Sequence, residues 1–221
     1  MADNYLERKM EDLRRGTPVS SRRTSSGPQK GYVRFPFPAR KVMIAGLNGI
    51  LALPVIREFS KPGCKVAFIH SDAGIGSRFA REEGVRFHHL SNDDSISLEK
   101  AFDETIKAWR EVDIIVCPPS IAHVLSKKWE RHLQITPIPG TYRRRMIILS
   151  EYNEKDSLCT ILNDIPWQDI TVNGIQIRAD VNHSEESVAE IGTLPKAVAQ
   201  LAVFLSLPGN ECIHGNIINI G

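Results

Sequence analysis

The 221-residue chain has no long apolar run. Its longest near-apolar stretch, around residues 49–56, falls far short of the about 20 residues a helix needs to span a bilayer. A membrane-spanning helix is therefore not expected, nor a membrane as partner. A secretory leader is not expected either. The chain opens on the polar Met1-Ala2-Asp3-Asn4, with no apolar stretch ahead of a small-residue cleavage site. Cysteine is scarce. Cys64, Cys117, Cys159 and Cys212 are scattered and form no Cys-x-x-Cys pair. That spacing excludes a zinc ribbon or a disulfide framework, so no metal is expected. Reduced thiols and a cytoplasmic location are the expectation. There is no internal repeat, and no large excess of one charge: 28 Lys and Arg stand against 26 Asp and Glu, a net charge of +2.

What is present fits one domain of ordinary size with a real core, since 42% of residues are hydrophobic. The small net charge is a cancellation. Residues 1–40 hold nine Lys and Arg against four Asp and Glu, and the remainder holds 19 against 22. A basic arm, residues 1–39, precedes a mildly acidic body, residues 40–221. In the arm, Leu6, Met10 and Leu13 make one helical stripe over residues 4–15. Residues 16–31, rich in Ser, Thr, Arg, Gly and Pro, read as a flexible linker. Pro36 and Pro38 then impose an extended stretch. The Arg14-Arg15 and Arg22-Arg23 pairs suit nucleic acid or acidic lipid, but the arm's charge is too weak to require either. Clasping a partner subunit is the alternative, and nucleic acid is not the expected partner.

From Arg40 the pattern alternates strand and helix. Short apolar runs at 41–45, 65–70, 85–90 and 113–117 are separated by helical segments at 52–61, 75–83 and 95–111. Pro54 falls in the first turn of the first helix, and Gly84 ends the second. Further on, 121–133, 155–165 and 194–205 read as helices, and 145–150, 174–179 and 216–220 as strands. In the last helix Ala197, Val198, Leu201, Ala202 and Leu205 form the apolar side. Continuous apolar strands joined by helices predict a parallel sheet covered on both faces. Right-handed crossovers make it a doubly wound α/β fold of six or seven strands in three layers.

These segments carry a resemblance. Residues 41–68, KVMIAGLNGILALPVIREFSKPGCKVAF, resemble the opening strand, glycine turn, helix and second strand of the short-chain dehydrogenases/reductases. GVRFHHLSNDDSISLEKAF, residues 84–102, looks like that family's third strand and next helix. GNIIN, residues 215–219, is similar to its C-terminal Gly-x-x-x-Asn turn and last strand. The resemblance implies a Rossmann-like sheet, NAD or NADP as cofactor, and homodimers paired through the C-terminal helix and last strand. It weakens between about residues 120 and 190, and the core is shorter than the family's where its catalytic helix and substrate loop belong.

At the candidate sites the family's residues are altered. Its glycine turn, Thr-Gly-x-x-x-Gly-x-Gly, falls on Ala45-Gly46-Leu47-Asn48-Gly49-Ile50-Leu51-Ala52. Gly46 matches, while Ile50 or Leu51 stands where a glycine would admit a dinucleotide. Gly46, Asn48 and Gly49 are thus either a phosphate-binding turn or a plain Asn-Gly turn leading into a helix. The acid that would hold the cofactor ribose is replaced by His70, with Asp72 two residues on. That leaves NAD and NADP equally open. The Asn-Asn-Ala-Gly turn after strand four reads Cys117-Pro118-Pro119-Ser120, which the two prolines stiffen. The family's proton donor is a Tyr with a Lys four residues on, and a Ser on the strand before it. Family spacing lands on Tyr152, with Lys155 three residues on and Ser150 two before. Asp156 takes the lysine's place, and a carboxylate there opposes phenolate formation. His88 and His89 alternate across a strand and cannot jointly bind a metal. Arg143-Arg144-Arg145 reads as a solvated approach to a strand, with anion binding as the alternative.

Two functions follow as expectations. One is a protein like the short-chain dehydrogenases that lacks their standard catalysis and serves as a binding or assembly subunit. The other is an NAD(P)-dependent oxidoreductase with Tyr152 as proton donor. An anion or nucleic-acid binder working through the arm is a third.

Overall fold

The apolar segments β1 (Lys41–Ala45), β2 (Lys65–His70) and β4 (Ile114–Cys117) have almost no polar side to offer water. Strands of this kind need cover on both faces. A computed structural model, which describes residues 37–90, 95–135, 143–151, 155–165, 170–178 and 193–221, supplies that cover. With β3 (Arg86–His89), β5 (Arg144–Glu151), β6 (Ile170–Ile177) and β7 (Ile217–Ile220), these strands form one sheet in the order β3-β2-β1-β4-β5-β6-β7. Every pairing is parallel. The doubly wound parallel sheet expected from the sequence is therefore present, with seven strands.

Six described helices flank the sheet: α1 (Gly49–Ser60), α2 (Ala73–Glu83), α3 (Ser95–Trp109), α4 (Pro119–Ile135), α5 (Lys155–Asp164) and α6 (Thr193–Leu205). Alternation along each strand sorts side chains between two cores. Val42 and Ile44 of β1 pack under α1 and α6, with Val55, Ile56, Phe59, Val198 and Ala202. Met43 and Ala45 face the other way, toward Leu98, Phe102, Leu125 and Trp129 of α3 and α4 and Leu158 of α5. Each such large side chain, fully buried, contributes about 1.5–3 kcal/mol by leaving water.

Local sequence explains the helix ends, with some surprises. The Asn48 side chain accepts the Leu51 N–H at 3.0 Å, so α1 begins at Gly49, three residues before the expected start. Pro54 consequently sits inside the helix and not in its first turn. Gly84 closes α2 with φ +66°, as expected of a glycine there. Cys117-Pro118-Pro119-Ser120 is no free-standing turn. β4 ends at Cys117 and α4 starts at Pro119, where a missing N–H costs nothing. Ala197, expected on the buried side of α6, is exposed.

The arginine run differs most from expectation. Arg144 and Arg145 are buried, Arg145 completely. Arg145 Nη2 meets Glu211 Oε1 at 2.7 Å, and Nη1 donates to Thr171 Oγ1 and the Arg143 carbonyl. Glu211 lies in a short 3-10 turn (Asn210–Cys212) just before β7. Arg143 is exposed, but Arg144 and Arg145 are no solvated approach, and a carboxylate distant in sequence comes down on Arg145. His88 is buried and His89 exposed, on opposite sides of β3 as the alternation requires. His88 Nδ1 meets Glu104 of α3 at 3.1 Å. Residues 1–36, including the expected arm helix and linker, lie outside the described residues.

Candidate functional site

The strand order reverses between β1 and β4. The chain runs outward from β1 through β2 to β3, then returns to β4 on the far side of β1. In an open α/β sheet the carboxyl ends of the strands at such a point leave a crevice where ligands bind. A cleft of about 620 Å³ opens there. Its walls come from the β1 end (Gly46, Asn48), the β2 end (His70, Ser71), Leu90, the start of α3 (Ser95, Leu98) and the start of α4 (Pro118, Ser120, Ile121, Val124). None of these side chains is an Asp, Glu, Lys or Arg.

The turn after β1 is built for close approach. Gly46 has φ +67°, a conformation that other residues adopt only with strain, and its N–H donates to the Ile69 carbonyl at 3.0 Å. A Cβ there would stand 2.8 Å from Ile121 Cδ1 and 3.3 Å from the Pro118 ring. Gly49 is the first residue of α1, where backbone N–H groups have no partner within the helix. Ile50, which on sequence alone obstructs the turn, is 67% exposed. Ala52 is fully buried in the core between α1 and the sheet. A dinucleotide turn needs one small residue for the bend, one for backbone approach and one for close helix packing. Gly46, Gly49 and Ala52 occupy positions suited to those roles. The alignment of the family turn already puts its third glycine position on Ala52; what the sequence did not show is that this residue is buried against the sheet.

At the end of β2, Asp72 caps α2. Its Oδ1 accepts the Ile75 N–H at 2.9 Å. That N–H is the main reason the carboxyl sits below the usual carboxylate range; it outweighs desolvation, with smaller help from the Gly74 N–H, His70 and Arg78. The Asp72 N–H donates to His70 Nδ1 at 2.9 Å, and the His70 ring stacks on Phe68 with centroids 5.4 Å apart. His89 Nε2 donates to the Ser71 carbonyl at 2.9 Å.

The structure thus brings Gly46, Asn48 and His70 to one cleft. Gly49 and Asp72 stand beside it as the first residue of α1 and the cap of α2. Ser150 is not part of its lining. It is buried near the end of β5, where its register partner is Gln176, and its Oγ donates to the Glu151 carbonyl at 3.1 Å. Tyr152 lies outside the described residues. Lys155 is the first residue of α5, and its side chain too lies outside what is described. Cys117 is fully buried, and burial pushes its thiol up to about 12. Among the described residues no three His, Cys, Asp or Glu side chains are grouped to hold a metal ion, and no helix is long and apolar enough to cross a membrane.

No family model and no curated protein matches the chain at the level of sequence. Solved structures do match it. A short-chain dehydrogenase/reductase from Serratia marcescens is similar at a TM-score of 0.64 and 16% identity, over 84% of this chain and 97% of that one. A glucose/ribitol dehydrogenase of the same class from Brucella melitensis gives 0.62 and 16%, over 85% and 97%. An enoyl-(acyl-carrier-protein) reductase from Anaplasma phagocytophilum, solved with NAD, gives 0.62 and 15%, over 85% and 94%. At such identities the likeness is one of architecture: this chain has the fold of the short-chain dehydrogenases/reductases.

Proposed function

We propose that the protein binds an adenine dinucleotide in the crevice between β1 and β4 and does not perform the tyrosine-dependent hydride transfer typical of its fold. One observation carries the second half. The helix that connects β5 to β6, Lys155–Asp164, reads KDSLCTILND. It contains no tyrosine, and its only lysine is the first residue. The usual chemistry needs a phenol and an ammonium one helical turn apart on one face. α5 has no such pair to present. Support for binding comes from the cleft at the strand-order reversal, the small residues Gly46, Gly49 and Ala52, and the NAD held by the Anaplasma reductase of the same fold. The protein then serves as a nucleotide-responsive subunit.

The test is thermal melting with NADH and NADPH. A ligand at 100 times its Kd adds about 2.7 kcal/mol, a rise in Tm of about 5–11 °C for a domain of this size. The rise is expected for the native chain and not for Gly46→Val. No rise at millimolar dinucleotide rejects the binding reading. Oxidation of NADH or NADPH with a panel of carbonyl substrates, abolished by Tyr152→Phe, rejects the non-catalytic reading in favour of an oxidoreductase.

A further inference from the structure

We infer that His88 is a proton-operated switch, whose Nε2 takes Arg86 as partner when the ring is neutral and Thr105 when the ring is protonated. The inference stands apart from the dinucleotide reading. His88 belongs to the edge strand β3 and is only 7% exposed, so its ring nitrogens need partners in the protein. Nδ1 meets Glu104 Oε2 of α3 at 3.1 Å. An ionised carboxylate can only accept, so Nδ1 carries a proton. Nε2 has two neighbours of opposite kind. Arg86 Nε–H donates to it at 3.1 Å, and Thr105 Oγ1 of α3 stands 3.2 Å away. Arginine has no acceptor and stays charged, so it can bond Nε2 only while that atom keeps its lone pair. The Thr105 hydroxyl gives its proton to the Ala101 carbonyl at 2.8 Å, which leaves its oxygen able to accept from Nε2–H.

Both protonation states therefore find their hydrogen bonds in place. The neutral ring is the Nδ1–H tautomer, held between Glu104 and Arg86. The protonated ring keeps Glu104 and donates Nε2–H to Thr105. It then meets Arg86 with a like charge and a second donor, which expels the guanidinium. Arg86 is exposed, so it can move into water at little cost. Among the described residues no other charge competes. Glu99 and Asp103 of α3 are taken by Lys128 of α4, and β2 offers the apolar Ile69 as the register partner. Burial acts most strongly on the ring and Arg86 next, and both lower its pKa against the pull of Glu104. The unfolded chain thus takes up this proton more readily than the folded one. The His88 contribution to stability is complete above the ordinary histidine range and is lost as pH falls through it toward the folded-state value. In mild acid the β3 edge gives up a pinned Arg86 and gains a buried cation.

The experiment is an NMR titration of the full chain from about pH 8 to about pH 5, across the range in which histidine changes charge. It follows the ring nitrogens of His88, assigned by their loss in His88→Gln, and the Arg86 Nε–H. At the alkaline end the ring is expected as the Nδ1–H tautomer, with the Arg86 Nε–H protected from exchange. As the ring takes up its second proton, that protection should vanish with the same midpoint. Arg86→Gln, at an exposed position, removes the opposing cation and should move the midpoint up. Thr105→Val removes the acceptor of the protonated state and should move it down. Thr105→Ser keeps the oxygen and should leave it in place, which separates the switch from a packing defect. An Nε2–H tautomer at the alkaline end overturns the inference. So does an Arg86 Nε–H that stays protected once the ring is charged, or a midpoint that ignores both Arg86→Gln and Thr105→Val. A ring that takes up no second proton before the chain unfolds overturns it as well.

Discussion

Replacing Glu211 by alanine should cost far more than its position in a short turn suggests. Arg145 is completely buried, and among the described residues Glu211 is its only carboxylate partner, at 2.7 Å. The remaining hydrogen bonds of the guanidinium go to Thr171 Oγ1 and the Arg143 carbonyl, which are neutral. Glu211→Ala leaves a buried cation without a counter-charge. Removing one partner of a buried pair typically costs about 3–5 kcal/mol. Glu211 is itself 35% exposed, so water can enter the vacated side, which places the loss near the low end, about 3 kcal/mol. For a domain of this size that lowers Tm by about 6–12 °C. Urea and thermal denaturation followed by circular dichroism read it directly. Arg145→Met combined with Glu211→Gln should recover most of the loss, because an apolar side chain in that site needs no partner. The native pair should also persist in 1 M salt, where exposed pairs are screened. Acid gives an independent check. Burial tends to raise the Glu211 pKa, but its backbone N–H contact and the Arg145 guanidinium outweigh this and hold it below the ordinary glutamate range. The stabilisation is then complete above that range and disappears as pH falls through the folded-state value. A loss under about 1 kcal/mol for Glu211→Ala would show that Arg145 does not depend on this carboxylate, and the reasoning would fail.

Two further outcomes follow from packing. Gly76→Ala improves helix propensity by about 1 kcal/mol, yet should destabilise the protein. The added Cβ would stand 2.0 Å from the Phe87 ring, so α2 must lift off β3, at a net cost of about 1–3 kcal/mol measured by urea denaturation; a stabilised variant would refute the contact. Cys117, fully buried with its thiol pushed up to about 12, should resist iodoacetamide at pH 8 while exposed Cys212 is alkylated. Mass spectrometry of the labelled native protein decides, and early labelling of Cys117 contradicts the burial.

Much of the fold was legible because the signals are local. Lys41–Ala45 and Ile114–Cys117 are apolar without alternation, which only a doubly covered sheet tolerates. Gly84 ends α2 because a left-handed residue is needed there, and the sequence places a glycine at that point. Where local rules failed, a neighbouring group competed. Pro54 looks like a first-turn proline until the Asn48 side chain caps the Leu51 N–H and starts the helix earlier. Arg144 and Arg145 look solvated because charge usually is. In the site, Gly46 was readable as a matching family position and His70 as an altered one, but the burial of Ala52 was not.

By itself, then, the sequence determined the alternation of strand and helix, the parallel sheet and the altered turns at its edge, because periodicity and turn chemistry act between near neighbours. Tertiary structure decided the rest. It brought Glu211 onto Arg145 across 66 residues, turned Ile50 outward and Ala52 inward, and set the His70 ring at the cleft, where it accepts the Asp72 N–H. Those outcomes depend on which face of an element meets which partner. That is a property of packed geometry and is not encoded in spacing along the chain.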